Sequence, residues 1–497
     1  MTYLSKSQLA EFEQCEKRFW LARHRPELAT VEDPTVFAAG HAVGAVARSN
    51  LPTGRLIEER DPQAAIAATS EALAAPDRAP IFEAAFLHAG VYVRTDILEP
   101  TADGWRLAEV KSSSSVKHYQ VADVATQVWT ARGAGLPLTE AVVRLVDNSF
   151  VYAGAGDYRG LLKDVVVDDK LTTLLTDRES VARAAGVTAA GEEPAKAVGD
   201  HCADPFACPF TGHCRAGLPP GPDFPVTLLP GRAGKAKAAE LMAQGITDLR
   251  HAPRESLVAA NELRIYDACK SGEAFHDREA MAAATAAWAY PRSFLDFETV
   301  GPAIPRWAGT RPFQAIPFQF SCHVQGADGA LAHHCFLDLS GVDPRRGCAE
   351  ALLAVLGDRG AIVTYNLPTE RGVIIALAEQ FADLRAGLLA CAERLVDALP
   401  LVRAHYYHPQ MMGSYSIKAV LPAVVPTLSY GDLDEVNDGL AAQRAYLEAI
   451  DPGVTEDRRR TLHERLTAYC RLDTLAMVEL VGTLCAPQAS TSSTHTS

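Results

Sequence analysis

The runs VYVRTDILEP (91–100) and GWRLAEVKSSSSV (104–116) alternate apolar and polar positions with the period of a strand, and TADG joins them through a hairpin turn predicted at Asp103-Gly104. A helical opening precedes them, and YQVADVATQVW (119–129) predicts a helix behind them. GLPPGPDFP (217–225) interrupts any regular structure, which sets a first boundary near 215. From about 230 to 285 the pattern is helical and alanine-rich, with LMAQGITDLRHAP (241–253) reading as helix, glycine turn and second helix. The apolar run RSFLDFETV (292–300) then opens a series of alternating strands and helices, and QASTSSTHTS (488–497) is low-complexity and expected to be disordered. The pattern therefore predicts an α/β protein with domains 1–215 and 286–485, a helical linker 216–285 and a tail 486–497. No internal repeat is visible.

Composition narrows the function classes. A length of 497 residues exceeds what one core usually organises, so two domains are expected. A hydrophobic fraction of 48% with 22% charged residues excludes wholesale disorder. No apolar run is long enough to span a bilayer, and MTYLSKSQLAEFEQ lacks the apolar stretch of a secretory signal, so a cytoplasmic protein without membrane partners is expected. Eleven cysteines, an odd number scattered through a long chain, suggest thiols and metal ligands rather than disulfides. A net charge of −14 argues against coating nucleic acid by bulk electrostatics. It is compatible with a nuclease, whose centre is itself a carboxylate cluster neutralised by cations.

In the first domain Asp96 falls on one strand of the hairpin, and Glu109 and Lys111, two residues apart on its partner, share a face. Two carboxylates can hold Mg²⁺ or Mn²⁺ while the amine orients water or steadies a phosphate. Glu83 lies upstream and is expected to help Asp96 and Glu109 bind the metal, and Gln127 lies on a helix expected to face the same region. The order Glu83, Asp96, Glu109-Val110-Lys111, Gln127 resembles the PD-(D/E)XK nuclease superfamily, in particular its RecB-like exonucleases. Cys15 in SQLAEFEQCEKRFWL and Cys202, Cys208 and Cys214 in HCADPFACPFTGHC sharpen the match. One early cysteine and three after the core resemble the iron-sulfur type found in CRISPR-associated RecB-like exonucleases and in AddB, where four thiolates hold a 4Fe-4S cluster. Zinc also suits four thiolates. The chain departs from many RecB-like nucleases in one respect: Gly44 stands four residues after Gly40, where they carry a histidine ligand, and His41 falls on another face. The other cysteines, Cys470 included, are read as core or surface residues, and His24, His41, His88 and His118 as structural.

The second domain presents another acidic set. Asp296 and Glu298 share a strand face, Asn366 and Glu370 sit where a strand gives way to a helix, and Tyr469 and Asp473 lie four apart on a helix. Such a set suits two cations about ~4 Å apart. Asp296-x-Glu298, Asn366-x3-Glu370, Tyr469-x3-Asp473 resembles the DEDD 3'-5' exonucleases of the RNase H-like fold, in the subgroup whose last motif carries tyrosine, which implies that Tyr469 positions the water. The stretch LVDALPLVRAHYYHPQMMGSYSIKAVLPAVVP (395–426) resembles their segment between the second and third motifs, with Ser416 and Lys418, like Asn366, expected to meet the nucleic acid. Glu370 replaces the usual aspartate. The pairing of these domains also resembles a bacterial family of unassigned role.

These resemblances imply a restriction-endonuclease-like domain with an iron-sulfur clasp, a helical linker, and an RNase H-like domain with a central mixed sheet. The implied function is metal-dependent hydrolysis of phosphodiester bonds, with DNA ahead of RNA as substrate and a role in repair, recombination or defence. Two alternatives stand: a nucleic-acid-binding protein with degenerate sites, and an RNA exonuclease active only in its C-terminal domain.

Overall fold

The computed structural model describes residues 3–30 and 38–485, so the tail expected at 486–497 lies outside the described residues. The chain is mixed α/β and forms two compact units, Met1–Pro219 with Gly301–Gln314, and Pro220–Val300 with Ala315–Ser497. Among the described residues no helix is long and apolar enough to cross a membrane.

The first unit contains the strands β1 (Leu4–Ser5), β2 (Arg55–Leu56), β3 (Ile81–His88), β4 (Val91–Pro100), β5 (Trp105–Lys111), β6 (Leu138–Val146) and β7 (Leu162–Val166). Its helices are α1 (Lys6–Gln14), α2 (Glu16–His24), α3 (Ala38–Ser49), α4 (Pro62–Ala74), α5 (His118–Gly133), α6 (Asp168–Ala190) and α7 (Thr211–Ala216). The sheet runs β2-β3-β4-β5-β6-β7, with β1 added on β4. The alternation along β5 separates its two faces. Leu107 joins Val121, Val124 and Val128 of α5, whose spacing marks an apolar helix face, whereas Ala108 joins Ala47 of α3. Each apolar side chain removed from water there contributes about 2 kcal/mol.

The edge of β4 is shared by two partners. Strand β5 pairs with its distal part as far as Ile97↔Ala108, while β1 pairs in parallel with its start, at Leu4↔Val91 and Ser5↔Tyr92. Lys6, which follows β1, therefore enters the gap where β5 has left β4.

The second unit contains α8 (Gly231–Ala243), α9 (Ala260–Ser271), β8 (Phe275–His276), α10 (Arg278–Ala286), β9 (Arg292–Val300), β10 (Ile316–Gln325), β11 (Leu331–Leu337), α11 (Arg345–Leu356), β12 (Ile362–Thr364) and α12 (Leu367–Gln380). It continues with α13 (Arg385–Glu393), β13 (Leu395–Asp397), α14 (Ala398–His405), β14 (Tyr406–Tyr407), α15 (Ile417–Val424), α16 (Gly439–Ala449) and α17 (Glu456–Leu484). Its main sheet has the order β11-β10-β9-β12-β13, antiparallel through β9, β10 and β11 and parallel through β9, β12 and β13. Leu295 and Phe297 of β9 pack against the helices α11, α12 and α13 on one face. Phe294, on the other face, packs with Met477, Val478 and Val481 of α17. Asp296 and Glu298 share the parity of Phe294, so the pleat directs them toward α17.

The segment expected as a linker contributes to this second core. Leu241 of α8, Ile265 and Tyr266 of α9 and Met281 of α10 join the cluster that holds Phe294, Val363 and Tyr407. Gly413 marks one close approach: its φ is +76°, and an added Cβ would stand 2.5 Å from the Leu228 carbonyl oxygen. Gly413→Ala combines a left-handed backbone with a backbone clash, so it is expected to destabilise the second unit by ~1–3 kcal/mol, read as a lower urea midpoint in equilibrium unfolding.

Candidate functional site

In the first unit Glu109 faces α5 and is almost fully buried. Its Oε1 accepts from Lys6 Nζ at 2.7 Å and pairs with Lys111 Nζ at 2.8 Å, and its Oε2 accepts from Gln127 Nε2 at 2.7 Å. Asp96 stands one step beyond the Ile97↔Ala108 pair, opposite Glu109, and its Oδ2 accepts from Val110 N at 2.7 Å. Lys111 also donates to Asp123 at 3.0 Å. Burial disfavours the charged form of Glu109, yet the Lys6 and Lys111 ammoniums outweigh it and hold the carboxyl well below its usual range. For Asp96, burial and then the negative charge of Glu109 push the pKa up. The two acids thus divide one environment, one firmly ionised and one resisting ionisation.

The structure brings together Asp96, Glu109, Lys111 and Gln127, but it directs the Glu83 carboxylate to Arg94, 3.3 Å away. Glu83 lies opposite Asp96 between the pairs Phe82↔Ile97 and Ala84↔Thr95, with φ +57°, a left-handed conformation that disrupts strand pairing at that point. Lys6 and Asp123 belong to the set without any signal in the sequence, because a lysine beside the first strand and an acid on a helix carry no motif. His41 is exposed on α3.

Cys15, Cys202, Cys208 and Cys214 line one small pocket together with Lys17, Arg18 and Lys196. Helix capping and long-range hydrogen bonds converge there. Cys15 Sγ accepts from Arg18 N at 3.5 Å as the N-cap of α2, and Gln14 Nε2 donates to the carbonyls of His201 and Phe206 at 2.8 and 2.7 Å. Burial raises the Cys208 and Cys214 thiols above their ordinary value. Three sulfurs on one tetrahedral zinc at ~2.3 Å would stand roughly 3.8 Å apart. Among the described residues, the one trio of His, Cys, Asp or Glu side chains with ligand atoms all within 4.8 Å of one another lies elsewhere.

That trio is Asp296, Glu298 and Cys470 in the second unit. Helix α17 delivers the third member. Thr455 caps its start, accepting from Arg458 N at 3.3 Å, and Glu456 and Asp457 occupy the first turn, where acids suit the helix dipole. Polar side chains of β10 then fix the helix over the sheet. Gln319 Nε2 donates to Leu466 O at 2.9 Å, while Ser321 Oγ and His323 Nδ1 stand 2.7 and 2.8 Å from Thr474 Oγ1. Tyr469 and Cys470, four and three residues before Asp473, are thereby set with it against Asp296 and Glu298. Cys470, assigned no role from its position in the sequence, is a member of the acidic site.

Burial comes first among the causes that push Asp296, Glu298 and Asp473 above the usual carboxylate range; Asp296 also feels Asp473, Glu298 and Glu370, and Glu298 feels Asp473. Burial likewise raises Glu370 to about 7, and its Oε2 is enclosed without a hydrogen-bond partner. Lys418 is the cation that acts on Asp296, Glu298 and Asp473, and it donates to Asn437 O at 2.6 Å and Tyr469 Oη at 3.3 Å. Tyr430, which no motif signalled, donates to Asp473 Oδ1 at 2.6 Å.

Asn366 and Ser416 stand apart from the acids. Both line a cleft of about 820 Å³ with Arg403, Ser414 and Tyr415. Asn366 has φ +87°, and Asp397 supplies the cap that its side chain does not, accepting from Asn366 N at 3.0 Å and Leu367 N at 3.1 Å. The cleft and the acids share two elements, α12 through Asn366 and Glu370, and the start of α15 through Ser416 and Lys418.

Burial and then the neighbouring His333 lower the pKa of His323 from 6.5 to about 4. The unfolded chain therefore takes up this proton first, and His323 contributes stability that is present above pH 6.5 and lost as the pH falls toward 4. The difference in urea midpoint between wild type and His323→Gln is expected to shrink as the pH falls from 6.5 to 4; a difference that stays constant would contradict the buried neutral imidazole.

The model of a family described as a domain of unknown function (DUF2779) matches residues 293–416. The match runs from β9 to the N-cap of α15, taking in Asp296, Glu298, Asn366, Glu370 and Ser416 and ending before Lys418, Tyr469 and Asp473. No curated protein matches the chain.

Proposed function

We propose that the chain is a metal-dependent nuclease that hydrolyses phosphodiester bonds of DNA, single strands or ends, with an RNase H-like, DEDD-type site in the second unit and a RecB-like PD-(D/E)XK site in the first. The observation that carries the reading is the convergence of Asp296, Glu298, Glu370 and Asp473 in a buried site, where burial resists their ionisation and Asp296 and Glu298 are repelled by neighbouring acids as well. Such an arrangement is costly unless cations neutralise it. The donor set fits hard divalent ions: carboxylate oxygens close together and an unpartnered Glu370 oxygen.

Asp296, Glu298 and Asp473 would hold Mg²⁺ or Mn²⁺, with Glu370 completing the set, and a bound ion would lower the pKa of water and stabilise charge on the leaving oxygen. Tyr469, beside Asp473 and hydrogen-bonded to Lys418, orients the attacking water. Lys418 counters the negative charge of the phosphodiester, and the cleft lined by Asn366, Arg403 and Ser416 takes the strand. The five-stranded mixed sheet, with the first acidic pair on its middle strand, supports the RNase H-like assignment.

In the first unit Asp96 and Glu109 would hold the metal, with Lys111 acting on water or on the developing charge. The four cysteines, which line one pocket, would hold a 4Fe-4S cluster, whose negative charge Lys17, Arg18 and Lys196 would offset; zinc is the alternative for four thiolates.

A second reading leaves only the second unit active. It is favoured by the pairing of Glu83 with Arg94 and by the two ammoniums already on Glu109. Cleavage of labelled DNA and RNA oligomers with Mg²⁺ or Mn²⁺ separates the two. Combined Glu109→Ala and Asp296→Ala is expected to abolish turnover, and unchanged cleavage would sink the proposal. Loss with Asp296→Ala alone, combined with no effect of Glu109→Ala, selects the second reading. Anaerobically purified protein is expected to carry about four irons per chain, lost in Cys208→Ala; zinc in their place would overturn the cluster.

A further inference from the structure

Lys6 is the one cation of the first acidic site that the proposed chemistry leaves unused. It follows β1 directly, and the pairing of Leu4 and Ser5 with Val91 and Tyr92 delivers its Nζ to Glu109 Oε1 at 2.7 Å. Lys111 pairs with the same oxygen at 2.8 Å, and Gln127 takes the other oxygen at 2.7 Å. A carboxylate oxygen offers two lone pairs, so the two ammoniums saturate Oε1. A divalent ion reaching Glu109 through that oxygen must displace one of them. Lys111 is also held by Asp123 at 3.0 Å, whereas among the described residues Glu109 is the sole ion-pair partner of Lys6. Lys6 is the ammonium that leaves at lower cost.

The charge balance gives the displaced ammonium a second task. Asp96, Glu109 and Asp123 supply three carboxylates against Lys6 and Lys111. A divalent ion added to this set leaves a net positive charge only while Lys6 stays, and a phosphodiester needs that charge. We propose that Lys6 occupies the metal position of the first unit in the metal-free protein and, once displaced by the entering ion, binds the phosphodiester. The proposal rests on the reading of that unit as a metal site.

A competitor for the metal that is also a ligand for the phosphate has an uncommon signature, because its removal moves the two affinities in opposite directions. A merely structural lysine would not do so. The full-length chain carrying Asp296→Asn and Glu298→Gln, which removes metal binding from the second unit, is titrated with Mn²⁺ by calorimetry and, with Ca²⁺ present, with a labelled single-stranded DNA oligonucleotide by fluorescence anisotropy. Lys6→Met and Lys6→Gln, the latter keeping a donor to Glu109 without the charge, are expected to tighten Mn²⁺ and weaken DNA by about tenfold each, while Lys6→Arg keeps DNA binding near that of the parent. Mn²⁺ affinity unchanged or weakened in both neutral variants overturns the role of Lys6 and leaves the metal site standing. Mn²⁺ that binds neither the parent nor the variants, with Glu109→Gln as the blank, overturns the metal site and the role of Lys6 together.

Discussion

Carboxylates of like sign cannot be gathered in a low-dielectric site without something positive among them, and both units are built around that constraint. Taking one ion out of water costs several kcal/mol, and a like-charged neighbour adds to the cost. In the first unit the chain supplies the compensation itself, through two lysines on a single oxygen of Glu109. In the second unit Lys418 acts on Asp296, Glu298 and Asp473, and burial above all keeps the pKa values of these acids and of Glu370 high. The first site is countered in large part from within, by two lysines set against Asp96, Glu109 and Asp123.

Each site is placed by a device outside its own motif. In the first unit the edge of β4 is divided between β1 and β5, which opens a gap lined by Asp96, Glu109 and Lys6. In the second, Gln319, Ser321 and His323 of β10 bind the backbone and hydroxyl groups of α17, setting Tyr469, Cys470 and Asp473 over β9. Such buried polar contacts favour one register of helix on sheet, because a shift by one turn would leave their donors unpaired. The acids are therefore held together by groups that are not acids.

Several of these relations were legible in the primary structure. A period of two on β4, β5 and β9 is a property of neighbouring residues, so the shared face of Glu109 and Lys111, and of Asp296 and Glu298, comes directly from it. The spacing of Tyr469 and Asp473 by four is likewise local, and α17 carries both toward the sheet. Glu83 was not legible in this way, because a left-handed φ between two regular pairs sends its carboxylate to Arg94, and strand periodicity has no means of anticipating that. Asn366 and Ser416 line a cleft apart from the acids, a placement set by the chain reversals at the starts of α12 and α15.

By itself the sequence determined what short-range geometry controls: which residues share a strand face or a helix face, and where Pro and Gly interrupt the chain. Tertiary structure alone decided what depends on distant segments meeting. It brought Lys6 to Glu109 across 103 positions, Tyr430 to Asp473 across 43, and Cys470 to the acids of β9, and it packed the alanine-rich helices into the second core. The physical reason is that periodicity specifies direction within an element, whereas the identity of an ion-pair or metal-ligand partner depends on how elements pack, and no local pattern of apolar and polar residues encodes that.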